Sequence, residues 1–193
     1  MAEERLKVSL GDNMSGLHLE SVRGFICGVD DVVSTYPKIS EALYGIRSER
    51  LRSRNTFAST SNTGIIRINE TVFSRPFGLS ASTGRHEGGH LIEVYLSDGD
   101  YSRFVKASDA KRILSRAFRA YKKSHAGKNT TLYKEISSVS INPAIAQSLL
   151  VGKNPTVLYS EGLAECIDRI IGQDVERDSF LYYVSESIGK EVG

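Results

Sequence analysis

The chain has 193 residues, 40% hydrophobic and 25% charged, with a net charge of +2; that is the make-up of one globular domain, 1–193, able to bury a core without disulfides or a structural metal. The small net charge argues against a dedicated nucleic-acid or acidic-membrane binder, and no segment reaches membrane-spanning length. Two distant cysteines, Cys27 and Cys166, and a charged N-terminus without an apolar signal stretch point to a reducing, cytoplasmic setting.

Residues 1–15 read as a mobile lead-in, charged and then Gly11-Asp12-Asn13. From Leu17 to Val33 the apolar residues Leu19, Val22, Ile26, Val29 and Val33 recur at three and four, which predicts a helix weakened by Gly24 and Gly28 and stopped near Tyr36-Pro37. A second short helix is expected over 40–44. Thr56-Phe57-Ala58 and Gly64 to Asn69 are β-favouring runs on either side of a turn-like Ser59 to Thr63, and they predict a hairpin. Ser82 or Thr83 is expected to cap a helix to about Leu96, ended by Ser97-Asp98-Gly99-Asp100. Ser108 or Asp109 begins the clearest amphipathic helix, with Ile113, Leu114, Ala117, Phe118 and Tyr121 on one face. A shorter helix over 144–150 and a last one over 161–171, capped by Ser160, complete a mostly helical α+β pattern with a small sheet.

The informative string is Arg85-His86-Glu87-Gly88-Gly89-His90, an H-E-x-x-H on a predicted helix. Four residues is just over one turn, so His86 and His90 project from one face and can share a Zn²⁺. Glu87 is rotated by about 100° from them, which suits a general base acting on a metal-bound water. Two consecutive glycines weaken a helix interior by around 1 kcal/mol each relative to alanine. Such a pair suits a helix that another backbone or a substrate must approach closely.

Catalytic zinc usually takes three protein ligands. Downstream, Glu161, Glu165 and Asp168 share one face of Ser160-Glu161-Gly162-Leu163-Ala164-Glu165-Cys166-Ile167-Asp168, with Leu163, Ala164 and Ile167 on the other. One carboxylate can ligate while its neighbour one turn on holds a histidine's outer N–H. Glu93, seven residues after His86, is the rival ligand, although a third ligand from the same helix strains a tetrahedral site.

H-E-G-G-H followed by S-E-G-L-A-E resembles the gluzincin zinc metallopeptidases, most of all their compact members: the minimal gluzincins and catalytic domains of the anthrax lethal factor kind, with relatives in phage and mobile-element proteins. The resemblance spans roughly Thr56 to Ile171, but only the two motif segments are specific. It implies a zincin-like fold, in which an edge strand and a second ligand-bearing helix pack against the H-E-x-x-H helix. It also implies His86, His90 and Glu161 as zinc ligands, Glu165 supporting the site from behind, and a peptide or protein substrate laid along the edge of the strand before the motif, expected at 64–72. The pattern departs in one place. Lethal-factor-type sites carry a catalytic tyrosine seven residues before the ligand glutamate, where this chain has Asn154. Tyr159, with Tyr133 behind it, is the substitute expected to stabilise the oxyanion.

The expected chemistry is hydrolysis of a peptide bond, with Glu87 taking the proton of a metal-activated water and passing it to the leaving amine. The rival is an inactive or non-peptidase protein on the same fold. It would use the basic runs Arg47 to Arg54 and Lys111 to Lys123 to hold a partner or nucleic acid.

Overall fold

Pro76 lies just ahead of the central element of the chain. A proline has no N–H to leave unpaired and its fixed φ feeds a helix start, so the helix that follows opens at Phe77, five residues before Ser82. In the computed structural model, which describes residues 6–9, 18–52, 56–71, 76–125, 128–139 and 155–193, the helices are α1 (Leu19–Thr35), α2 (Phe77–Ser97), α3 (Tyr101–Val105), α4 (Ser108–Ser124), α5 (Leu132–Val139), α6 (Pro155–Gly172) and α7 (Phe180–Val192). The strands are β1 (Val8–Ser9), β2 (Gly45–Glu49), β3 (Ala58–Thr60) and β4 (Ile65–Asn69). No helix among the described residues is long and apolar enough to cross a membrane.

The α+β expectation holds: a small mixed sheet is accompanied mostly by helices. The strand order is β1-β2-β4-β3, with β1, β2 and β4 parallel and β3 antiparallel to β4. The expected hairpin is β3–β4, with Ala58 opposite Ile68 and Thr60 opposite Ile66. Alternation in β4 sends Ile66 and Ile68 to the core face, where they are fully buried with Ile46 of β2.

Three expectations change here. The strand at 65–69 lies between β2 and β3, so among the described residues the sheet edge nearest the motif helix is β3. The lead-in is not all apart from the fold, because Leu6 is fully buried and Val8–Ser9 pairs with β2. The short helix expected over 40–44 is a 3-10 helix, Pro37–Ala42, set by the proline at its first turn. The helix expected over 144–150 lies outside the described residues.

α1 and α2 pack at backbone distance. A Cβ added at Gly28 would lie 2.0 Å from the Ala81 carbonyl oxygen, and one at Gly84 would lie 2.1 Å from that of Phe25. The glycines that weaken α1 as an isolated helix therefore let it reach α2. The motif glycines serve the same packing. A Cβ at Gly88 would meet Val32 of α1 at 3.0 Å, and one at Gly89 would meet the Ala164 Cα of α6 at 3.1 Å. Residues of the neighbouring helices, rather than substrate, occupy the space beside the motif. Gly28→Ala is expected to lower stability by about 1–3 kcal/mol through forced backbone displacement, even though alanine favours a helix by around 1 kcal/mol over glycine. Urea unfolding of the metal-free protein measures it. An unchanged or raised midpoint would show that the two helices can separate freely.

α4 buries Ile113, Leu114, Ala117 and Tyr121 as expected. Its partner is α7, whose Phe180 ring stands 6.0 Å from Tyr121 and 6.5 Å from Phe118. α7 begins where the Ser179 hydroxyl accepts a hydrogen bond from the Tyr182 amide.

Candidate metal centre

α2 is enclosed by α1, α6 and the sheet, and it buries three ionisable side chains in its second half, Glu87, His90 and Glu93. Burial of such groups is costly unless each is paired, and the pairs define the site.

His86 and His90 lie on one face, their rings 5.1 Å apart and edge to face. Each turns Nε2 toward Glu161 of α6: 3.2 Å from His86 Nε2 to Oε2, and 3.8 Å from His90 Nε2 to Oε1. Each Nδ1 faces a different carboxylate, Glu165 Oε1 at 3.2 Å from His86 and Glu93 Oε2 at 3.4 Å from His90. Metal-ligating histidines almost always place the outer nitrogen on such a partner.

One ligand atom from each of His86, His90 and Glu161 lies within 4.8 Å of the others, an arrangement able to hold a metal ion. A tetrahedral ion with bonds of roughly 2.0–2.1 Å sets its ligand atoms about 3.3–3.4 Å apart. The 3.2 Å from His86 Nε2 to Glu161 Oε2 is close to that spacing, and His90 Nε2 stands 3.8 Å from the other carboxylate oxygen. Two imidazoles and one carboxylate thus fit as a donor set that leaves a fourth position for water.

The charges agree. Burial opposes ionisation of His86, but its hydrogen bonds to Glu161 and Glu165 and the charges of Glu87 and Glu161 hold its pKa well above the ordinary value. Burial likewise opposes ionisation of His90, and the Glu93 bond with the Glu161 charge outweighs it. Burial pushes the Glu161 carboxyl up, yet the His86 hydrogen bond and the two histidine charges bring it down to about 2.

The site opens into a cleft of about 930 Å³ lined by β3 and the residues just before it, by α2 and α6, and by Phe104 of α3. Glu87 faces this cleft beside the edge strand. The Thr60 hydroxyl lies 2.7 Å from Glu87 Oε2 and 2.9 Å from the Glu87 carbonyl oxygen. Behind the motif, Asp168 accepts from Arg85 Nε at 2.8 Å and from the Ser82 hydroxyl at 2.6 Å.

The structure brings His86, Glu87, His90, Glu161 and Glu165 together in this cleft. It does not bring Tyr159 there: that ring packs against the core and lies under Lys111 Nζ at 5.8 Å. Tyr133 sits on α5, exposed, and no tyrosine is among the described residues lining the cleft. Asn154 lies outside the described residues. Ser160 is mid-helix rather than a cap, and its hydroxyl reaches Glu93 Oε2 at 2.5 Å. Sequence reasoning missed Thr60 and the partners of Asp168, since only the folded chain brings Thr60, Arg85 and Ser82 beside their acceptors.

Of the basic runs, Arg47 to Glu49 belongs to strand β2, not a helix. On α4, Arg112 and Arg116 both pair with Glu191 of α7. Comparisons with protein-family models, curated proteins and solved structures return no match.

Proposed function

We propose that this chain is a zincin-like zinc metallopeptidase of the gluzincin kind, with His86, His90 and Glu161 holding the metal. The observation that carries the reading is the convergence of those three donors within 4.8 Å, in a cleft that also contains a carboxylate not used as a ligand, Glu87. When bound, zinc acidifies a water and polarises the scissile carbonyl. The chain's own groups do the rest. Glu87 takes the proton of that water and carries it to the leaving amine, while Thr60 holds Glu87 against the strand edge. Among the described residues no strand follows beyond β3 in the sheet order, so an extended peptide can add there through main-chain hydrogen bonds. Leu79 and Phe104 line the cleft without joining the core, which favours apolar substrate side chains near the cleaved bond.

The test is elemental analysis of protein purified without added metal, together with chelator-sensitive cleavage of a mixed peptide library. About one zinc per chain and cleavage restored by zinc are expected. Protein that neither carries nor takes up zinc ends the reading, and heparin retention with steep salt dependence in its place would support the basic-patch alternative.

The charge balance gives a second expected result. The raised histidine pKa values stabilise the metal-free fold below the ordinary histidine range near pH 6.5, and that contribution is lost as the pH rises through the raised values. Zinc needs neutral imidazoles, so protons compete with it in the same window. Glu161, brought down to about 2, stays ionised throughout. The rise in melting temperature on adding excess zinc should therefore grow from pH 6 to pH 8. Thermal scans with and without zinc check it, and a rise that shrinks with pH would contradict the assignment of both histidines.

A further inference from the structure

Glu93 is 2% exposed, yet it belongs neither to the donor set nor to the apolar core. Its Oε2 lies 3.4 Å from His90 Nδ1 and 2.5 Å from Ser160 Oγ, and Ser160 Oγ is itself 3.3 Å from His90 Nδ1. The three atoms form a closed triangle between α2 and α6. Its other oxygen, Oε1, has no partner among the described residues. A buried carboxylate with one oxygen unpaired is a costly way to fill space.

We propose that Glu93 and Ser160 are positioning residues for the metal centre: together they fix the ring and tautomer of His90 and set the level of Glu161. The inference rests on the zinc reading above. The proton inventory carries it. An ionised carboxylate only accepts, a serine hydroxyl donates once, and a neutral imidazole donates from one nitrogen. With Nδ1 protonated, both available hydrogens point at acceptors of the triangle, and Nε2 presents its lone pair to the site. With Nδ1 bare, a nitrogen lone pair would face the carboxylate in a buried setting. The triangle therefore selects the tautomer that ligates.

Position argues against Glu93 as a ligand itself. It stands behind the ring at Nδ1, while the metal site lies in front at Nε2. Ser160 adds a second constraint, because it immediately precedes Glu161. Its bond to Glu93 holds α6 against α2 at the level where the third ligand must sit. His86 is held in the complementary way, by Glu165 reaching across from α6. Each imidazole thus has its own carboxylate, one from each helix.

Zinc titration against a competing chelator, with melting of the metal-free proteins in parallel, tests the proposal. Glu93→Met should weaken zinc binding about 10–100-fold, the usual cost of losing an orienting partner, and the metal-free protein should melt lower than the parent because the Ser160 hydroxyl and His90 Nδ1 lose their acceptor. Glu93→Gln should bind zinc more tightly than Glu93→Met, because its amide oxygen still accepts from Nδ1. Ser160→Ala should weaken binding less than Glu93→Met. Cobalt-loaded Glu93→Gln should keep the visible spectrum of a four-coordinate site. Zinc binding by Glu93→Met within about twofold of the parent would overturn the proposal. So would a Glu93→Gln variant that loses zinc as fully as Glu161→Ala, since that would make Glu93 a ligand. A parent protein that takes up no zinc would instead defeat the metallopeptidase reading itself.

Discussion

Glu87→Gln is expected to leave the zinc content and the fold unchanged while lowering peptide hydrolysis by about 10²–10⁴-fold, the usual contribution of a positioned general base. The geometry explains why the two effects should separate. Glu87 is buried beside the edge strand, and its carboxylate lies 2.7 Å from the Thr60 hydroxyl. A glutamine has nearly the same shape, and its amide oxygen accepts that same bond. What it loses is the capacity to take a proton from water and return it to an amine. In the proposed site His86, His90 and Glu161 would hold the metal, and none of them needs Glu87 for its orientation: the outer nitrogens of the histidines rest on Glu165 and Glu93. Steady-state kinetics beside zinc analysis is the measurement. A variant that cleaves as fast as the parent would show that Glu87 is not the base. A variant that loses the metal would place Glu87 among the groups holding it.

The part of this site legible in the sequence is the part governed by helical spacing. His86 and His90 four apart, and Glu161 and Glu165 four apart, share faces because 3.6 residues make a turn, whatever surrounds them. What spacing cannot supply is the contact between elements. Thr60 stands on a strand 27 residues before Glu87, and nothing in its neighbours marks it. Glu93 follows His86 by seven residues, but spacing alone does not distinguish a ligand from a residue behind the ring. Serine misleads for a definable reason. Ser82 and Ser160 resemble caps because serine favours helix starts, but each sits inside its helix and spends its hydroxyl on a buried carboxylate of another helix.

Helix α7 and the cap of α3 are also written in the sequence. Phe180, Val184, Ile188 and Val192 recur every four residues behind Ser179, a helix pattern with its cap. Asp100 heads α3 by accepting from the Ser102 and Arg103 amides. Gly24 and Gly28, like Gly84 and Gly88, stand four apart and mark a helix face that another helix can approach, although the sequence does not say that the two pairs meet each other. The sheet was the least legible element. β2 has a single fully buried isoleucine among polar residues, so its strand character comes from pairing with β1 and β4 rather than from alternation.

Glu161 and Glu165 should separate by phenotype, and the separation decides which carboxylate holds the metal. The two lie one turn apart on α6 and both meet His86, but at different nitrogens: Glu161 at Nε2 and Glu165 at Nδ1. A single ion can be held in front of the ring, where His90 Nε2 also points, and not behind it. Glu161→Ala is therefore expected to lose zinc affinity by orders of magnitude, because two imidazoles alone do not make a catalytic zinc site. Glu165→Ala should still bind, with affinity lower by about 10–100-fold, because His86 loses the partner that fixes its ring and tautomer. The metal-free proteins respond differently too. Removing Glu161 takes away a charge shared by both histidines, so both imidazoles should titrate at lower pH, whereas removing Glu165 should lower His86 with much less effect on His90. Chelator competition gives the affinities, and NMR titration of the histidine ring protons in metal-free protein gives the second readout. A Glu165 variant that cannot hold zinc, beside a Glu161 variant that can, would reverse the two roles and move the metal to the Nδ1 side of His86.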